Sequence, residues 1–299
     1  MKMTVSVAPG APRANRSIGA ILIDSGVLTP EDAERVLALQ KEQGLRFGEA
    51  AIRLGLLTEA DIQYALSRQF SYAYLRASGE KKPLSDELVA AYQPFSPRVE
   101  QLRAIRSQLM LRWFDKAEQR QVLTIVGTES GEGRSYLAAN LAVVFSQLGE
   151  RTLLIDADMR RSKQHEYFLL QNKVGLSTVL SGRSRDEAII RITDLAGLYV
   201  LPAGPTPPNP LELLSRMNLE EFLIHVRATF DVVIIDTPAL STGEDAALIA
   251  VRTGAALAVA RAGQTRVSAF NDMVQGLMNA GVGVVGSVLN EVPQKKVKK

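Results

Sequence analysis

A small set of residues has the types and spacing for phosphate chemistry. Gly131, Gly133, Arg134 and Ser135 lie in the stretch VGTESGEGRSY, Asp156 and Asp158 close the apolar run LLIDAD, and Asp236 closes the run VVIID. A glycine loop lets several backbone N–H groups turn towards one point, and a helix starting there adds the positive end of its dipole, so the place attracts an anion. Arg134 offers a cation to phosphate oxygens, and the Ser135 hydroxyl offers a ligand to a metal ion. The candidate phosphate contacts are Ser130, Gly131, Glu132, Gly133, Arg134, Ser135 and Tyr136. Against the pattern G-x-x-x-x-G-K-S/T only Gly133 and Ser135 match, because Thr128 stands at the first glycine and Arg134 at the lysine. By itself the loop is as well read as a glycine-rich turn. The acids decide for a phosphate loop.

The elements that must position these residues can be read from periodicity. Val122, Leu123, Ile125 and Val126 form a strand-length β-branched run before the loop, and Leu137, Leu141, Val144, Phe145 and Leu148 recur at helical steps after it, with Gly149 as the stop. Leu153–Ile155 and Val232–Ile235 are buried-strand runs. In a parallel sheet the ends of all three strands share one edge, so three carboxylates are expected to face the loop, a donor set that suits Mg²⁺, with Ser135, Asp156 and Asp236 as its ligands. Further strand and helix patterns alternate as far as a last strand over 282–289, which predicts an α/β fold with a mostly parallel sheet flanked by helices.

At 299 residues, with 46% hydrophobic and 22% charged, the chain has room for two ordinary globular domains. It contains no cysteine, which excludes disulfides and thiolate chemistry, and a net charge of +3 gives no reason to expect nucleic acid. The most apolar stretch, 246–262, is broken by Arg252, Gly254 and Arg261 and is not a membrane span. The expected organisation is a disordered lead-in over 1–16 that is not a signal peptide, a small all-helical domain over 17–76 and a linker over 77–98 rich in proline. A nucleotide domain over 99–292 and a basic tail over 293–299 follow.

The helical domain is a tandem repeat. Gly19 matches Gly48, Gly26 matches Gly55, Leu28 and Thr29 match Leu57 and Thr58, and Asp32 matches Asp61. Each copy reads as a short helix ending at glycine, then a threonine capping a second helix. This resembles the MshEN domains of secretion and pilus ATPases, some of which bind cyclic di-GMP. The second copy keeps Arg46 and Gly48 of that motif, and Ser17 stands where the first copy's arginine belongs.

Residues 99–290 resemble the bacterial tyrosine kinase (BY-kinase) family, of the EpsG type linked to exopolysaccharide operons. Glu100, Arg103 and Arg106 match its E-x-x-R-x-x-R helix, SGEGRS its Walker A loop, LLIDADMR its second acidic motif, VVIIDTP its Walker B strand, and GPTPPNPLELL its G-x-x-P-P-N-P-x-E-L-L signature. The resemblance implies a P-loop ATPase-type fold using ATP and Mg²⁺. It assigns the metal to Ser135 and Asp236, the tyrosine hydroxyl to Asp156, assistance at the metal to Asp158, the loop cation to Arg134 and ring assembly to Glu100, Arg103 and Arg106. It also implies a homo-oligomer that is cytoplasmic, held at the inner membrane by a membrane-spanning polysaccharide chain-length regulator.

Two departures bear on activity. Arg134 replaces the loop lysine, and Tyr199 is the last tyrosine before a tail NEVPQKKVKK, so an acceptor is expected internally, at Tyr72 or Tyr74, or on another protein. Arg160 and Arg161, directly after the second acidic motif, are either surface charges or a grip on a γ-phosphate or a neighbouring subunit. Two other classes remain open: a ParA/MinD-like positioning ATPase, and an ATP-driven oligomerisation switch without phosphotransfer.

Overall fold

Within Met1–Ala77 the repeat folds as α1 (Ile18–Asp24), α2 (Pro30–Gln43), α3 (Phe47–Arg53) and α4 (Glu59–Gln69). Both expected caps form: the Asp32 N–H donates to Thr29 Oγ1 at 3.1 Å, and the Asp61 N–H donates to Thr58 Oγ1 at 3.3 Å. The glycines after the short helices, Gly26 and Gly55, both have φ of +68°. Helix α1 packs on α4 and α2 on α3, around Leu22, Val36, Ala50 and Ala65. Gly19 and Gly48 recur because a Cβ would come within 3.1 Å of Phe47 and 3.2 Å of Ile62. Helix packing therefore accounts for both glycines.

The second unit, Ser78–Lys299, begins with α5 (Val89–Tyr92) and α6 (Pro97–Arg112) and continues through β1 (Val122–Gly127), α7 (Arg134–Ser146), β2 (Thr152–Asp156), α8 (Gln164–Tyr167), α9 (Leu176–Leu180), β3 (Ile190–Arg191) and β4 (Leu198–Leu201). It ends with α10 (Pro210–Ser215), α11 (Met217–Thr229), β5 (Val232–Asp236), α12 (Asp245–Thr253), β6 (Ala255–Arg261), α13 (Val267–Asn279) and β7 (Gly283–Asn290). The computed structural model describes residues 17–69, 74–75, 82–115, 117–118 and 120–291; the lead-in 1–16, Tyr72, residues 77–81 and the tail 293–299 lie outside the described residues.

The sheet runs β3-β4-β2-β5-β1-β6-β7, parallel except for β3, which pairs antiparallel with β4. Strands β1, β2 and β5 are buried at every position, which is why they read as unbroken apolar runs rather than alternating ones. The Pro-Pro-Asn-Pro stretch is structural. Asn209 caps α10, Pro210 takes its first turn, and the Gly204 N–H donates to Asn172 Oδ1 at 2.7 Å.

The linker expected over 77–98 is corrected over its described part. Leu84, Leu88, Ala90 and Tyr92 are buried, and Asn140 of α7 ties the segment down. Asn140 Oδ1 accepts from the Ala90 N–H, and Asn140 Nδ2 donates to the Glu87 carbonyl, both at 3.0 Å. Pro97 opens α6, capped by Ser96, instead of punctuating a loose segment. Asn140→Ala leaves those two backbone groups without their partner. We expect a stability loss of about 2 kcal/mol in urea unfolding with unchanged m-value; a wild-type midpoint refutes the tie.

Candidate functional site

The loop between β1 and α7 is shaped by its glycines and held from outside. Gly131 and Gly133 have φ of +82° and +93°, and a Cβ on Gly133 would lie 2.1 Å from Asn290 Nδ2, so glycine is required there on two counts. Gln264 Nε2 donates to the Ser130 carbonyl at 2.9 Å, Arg261 Nη1 to the Gly131 carbonyl at 3.0 Å, and Asn290 Nδ2 to the Glu132 carbonyl at 3.0 Å. A trans peptide places N–H opposite C=O, so pinning these carbonyls directs the N–H groups of Gly131, Glu132 and Gly133 to the other side of the loop. The Glu132 side chain is fully buried and accepts from Thr128 Oγ1 at 2.7 Å and Thr265 Oγ1 at 2.5 Å. Its carboxylate pins the loop; the backbone N–H is what it can offer a ligand.

Arg134 is folded inward. Its Nη1 donates to the Glu129 carbonyl at 2.6 Å and to Glu132 Oε2 at 3.2 Å, and its Nε donates to the Thr237 carbonyl at 3.2 Å. A guanidinium has enough donors in one plane to bridge the loop to the end of β5, which a single ammonium does not.

The acids occupy two depths. Asp156 and Asp236 are register partners on β2 and β5, both fully buried. Asp156 accepts from the backbone N–H of Asp158 at 3.1 Å, Lys163 at 3.0 Å and Gln164 at 2.9 Å. Gln164, fully buried at the start of α8, donates from Nε2 to Asp236 Oδ2 at 2.8 Å and to the Ser135 carbonyl at 3.1 Å. Burial, then the neighbouring Asp236, hold the Asp156 carboxyl well above its usual range. Burial also lifts Asp236, to about 6, against the opposing Gln164 N–H, Ser135 hydroxyl and Arg134 charge.

The three carboxylates expected to face the loop lie at different depths. Asp158 lines the cavity in front of the loop, whereas Asp156 and Asp236 are fully buried, with Asp236 next to the Ser135 hydroxyl. Asp158 Oδ1 accepts from the Arg160 and Arg161 N–H groups at 3.1 and 2.8 Å.

That cavity, about 710 Å³, has Gly131, Gly133 and Ser135 on one wall, Asp158, Arg161 and Lys163 on another, and Glu87 and Arg98 on a third. A second cleft of about 550 Å³ shares Arg98, Tyr136, Asn290 and Glu291 with it and is also lined by Ile105, Val259 and Leu289. Tyr136 and Tyr167 also line the larger cavity, and burial raises both phenols. Of the triad on α6, Glu100 and Arg103 pair with each other, while Arg106 Nη1 donates to the Val144 carbonyl on α7 at 2.8 Å. Gln164, Arg261, Gln264, Thr265 and Asn290 escaped the sequence reading. They are single polar residues in no phosphate-loop pattern, and only the fold brings them to the loop.

Residues 120–253 match the AAA domain family AAA_31. The tyrosine-protein kinase YwqD of Bacillus subtilis (strain 168) is 36% identical over 203 residues, which cover 68% of this chain and 85% of that protein. This chain belongs to the bacterial tyrosine-protein kinase family. The kinase domain of Escherichia coli tyrosine kinase ETK superposes with a TM-score of 0.67 at 30% identity, covering 75% of this chain and 88% of that domain. A putative tyrosine-protein kinase in the cps region of Klebsiella pneumoniae is 30% identical over 93% of this chain, and a tyrosine-protein kinase ptk of Acinetobacter johnsonii is 34% identical over 71%. The chain spans only 36% and 29% of those two proteins' lengths. The Mg-ADP complex of the septum site-determining protein MinD from Pyrococcus horikoshii, at 21% identity and a TM-score of 0.52, shares the fold.

In this bacterial tyrosine kinase relative the two buried carboxylates make the ligand-free fold sensitive to pH. Raised native values mean that the folded chain binds protons more tightly than the unfolded one. The resulting stability is full below about pH 4 and is lost as pH rises through about 6. Asp236→Asn removes the charge and should stabilise the ligand-free protein at pH 7 by up to about 3 kcal/mol, with the difference vanishing towards pH 4. Urea unfolding across that range checks it; a variant less stable than wild type at pH 7 contradicts it.

Proposed function

We propose that the chain is an ATP- and Mg²⁺-dependent protein tyrosine kinase. The observation that carries this reading is that the Ser135 side of the glycine loop and Asp158 open onto one cavity, directly before two buried carboxylates. The site also fits a magnesium nucleotide in its unfilled polar atoms: Asp236 Oδ1 and Gln164 Oε1 are buried without a partner among the described residues.

In this reading the N–H groups of Gly131, Glu132 and Gly133 hold the phosphates, Ser135 and Asp236 hold Mg²⁺, and Asp156 positions the strand ends through its three backbone bonds. The magnesium nucleotide, when bound, supplies the phosphoryl group and the metal charge. Asp158, rather than the enclosed Asp156, is the carboxylate able to accept the proton of an incoming tyrosine hydroxyl. An acceptor tyrosine from another segment or another chain belongs to this reading. Ring assembly through Glu100, Arg103 and Arg106, docking to a membrane-spanning regulator of polysaccharide chain length, and cyclic di-GMP at the helical repeat belong to the same proposal. A membrane-spanning partner is in keeping with the described helices, none of which is long and apolar enough to cross a membrane.

A second reading, nucleotide-driven oligomerisation without transfer, is favoured by Arg134, whose guanidinium is engaged by the loop itself. Incubation with ATP and Mg²⁺ followed by phosphotyrosine detection separates the two. Asp158→Asn should lower phosphotransfer at least about 100-fold while leaving ATP affinity within about threefold. Nucleotide-dependent assembly with wild type and variant both silent selects the switch.

A further inference from the structure

The loop position that faces phosphate as a lysine in the general pattern is filled here by an arginine with structural partners. Arg134 reaches the Glu129 carbonyl, the buried Glu132 carboxylate and the Thr237 carbonyl, so its charge is neutralised by Glu132 within the loop. The nucleotide's terminal phosphate needs a cation from elsewhere, since neutralising the equatorial oxygens is a large part of phosphoryl transfer.

The candidates on the cavity wall differ in what engages them. Lys163 is paired with Glu166 at 2.6 Å. Arg98 lies beside Tyr136, whose phenol its charge lowers against burial. Arg160 is not a cavity residue: its guanidinium spans to the buried Asp245 at 3.1 Å and ties the acidic turn to the start of α12. Arg161 is different. Its backbone N–H is fixed by Asp158 Oδ1, which sets the residue immediately beside the cavity carboxylate that follows β2. Arg161 lines the cavity, and its side chain has no hydrogen-bond or ion-pair partner among the described residues.

The geometry points to a division of labour: Arg134 is a strut between the loop and β5, and Arg161 is the cation that grips the terminal phosphate of the nucleotide. This assignment rests on the nucleotide reading above and makes the site selective for a triphosphate over a diphosphate. A guanidinium on an exposed turn also leaves the phosphate contact dependent on the conformation of residues 158–163, which Asp156 and Asp158 fix through backbone N–H groups.

Calorimetric titration of the full chain with Mg-ATP and Mg-ADP tests it. Arg161→Gln should weaken ATP about tenfold or more and ADP less than threefold, and Arg161→Lys should restore most of the ATP preference. An unchanged thermal midpoint of Arg161→Gln is expected for a side chain without structural partners. Equal losses for the two nucleotides, or no loss for either, overturn the assignment, as does a shift of the ATP/ADP ratio in Arg98→Gln but not in Arg161→Gln. A wild-type chain that binds neither nucleotide overturns the nucleotide reading itself.

Discussion

Two carboxylates lie side by side in the middle of this fold, and much of its polar architecture answers to them. Asp156 and Asp236 end adjacent parallel strands in register, out of reach of solvent. Like charges at that spacing in a poorly polarisable interior are costly, and the cost is offset by backbone N–H groups on Asp156 and by Gln164 on Asp236. Gln164 in turn holds the Ser135 carbonyl, so the first turn of α7 is fixed to the same point. What remains unsatisfied, Asp236 Oδ1 and Gln164 Oε1, lies where added positive charge is most welcome.

The glycine loop is constrained from both sides. Residues of the turn after β6 and the end of β7 hold its carbonyls outward, and Glu132 and Arg134 hold its inside. Glycine backbones would otherwise sample many conformations, and these side chains select one. The consequence for chemistry is preorganisation: amides already aimed at an anion need not reorient when it arrives.

The segment before α6 shows the same economy of means. Its buried apolar residues are too few for a recognisable period, and Asn140 substitutes for the missing secondary structure by completing its backbone hydrogen bonds. The segment also brings Glu87 and Arg98 to the cavity wall, so a stretch read as a connection is part of the site.

The sequence by itself determined the central strands β1, β2 and β5, the helix after the loop, the capped helical repeat and the loop glycines, because each follows from local rules: buried strands are continuously apolar, caps follow threonine, and left-handed turns require glycine. It also carried the family, through motifs whose spacing survives at about one-third identity. Depth was decided only by the tertiary structure. Whether an acid at a strand end opens to a cavity or is enclosed depends on what the next helix brings over it, and Gln164 closes over Asp156 and Asp236 but not over Asp158. The direction of Arg134 was decided there too, since its partners at Glu129, Glu132 and Thr237 converge only when β1, α7 and β5 are packed together.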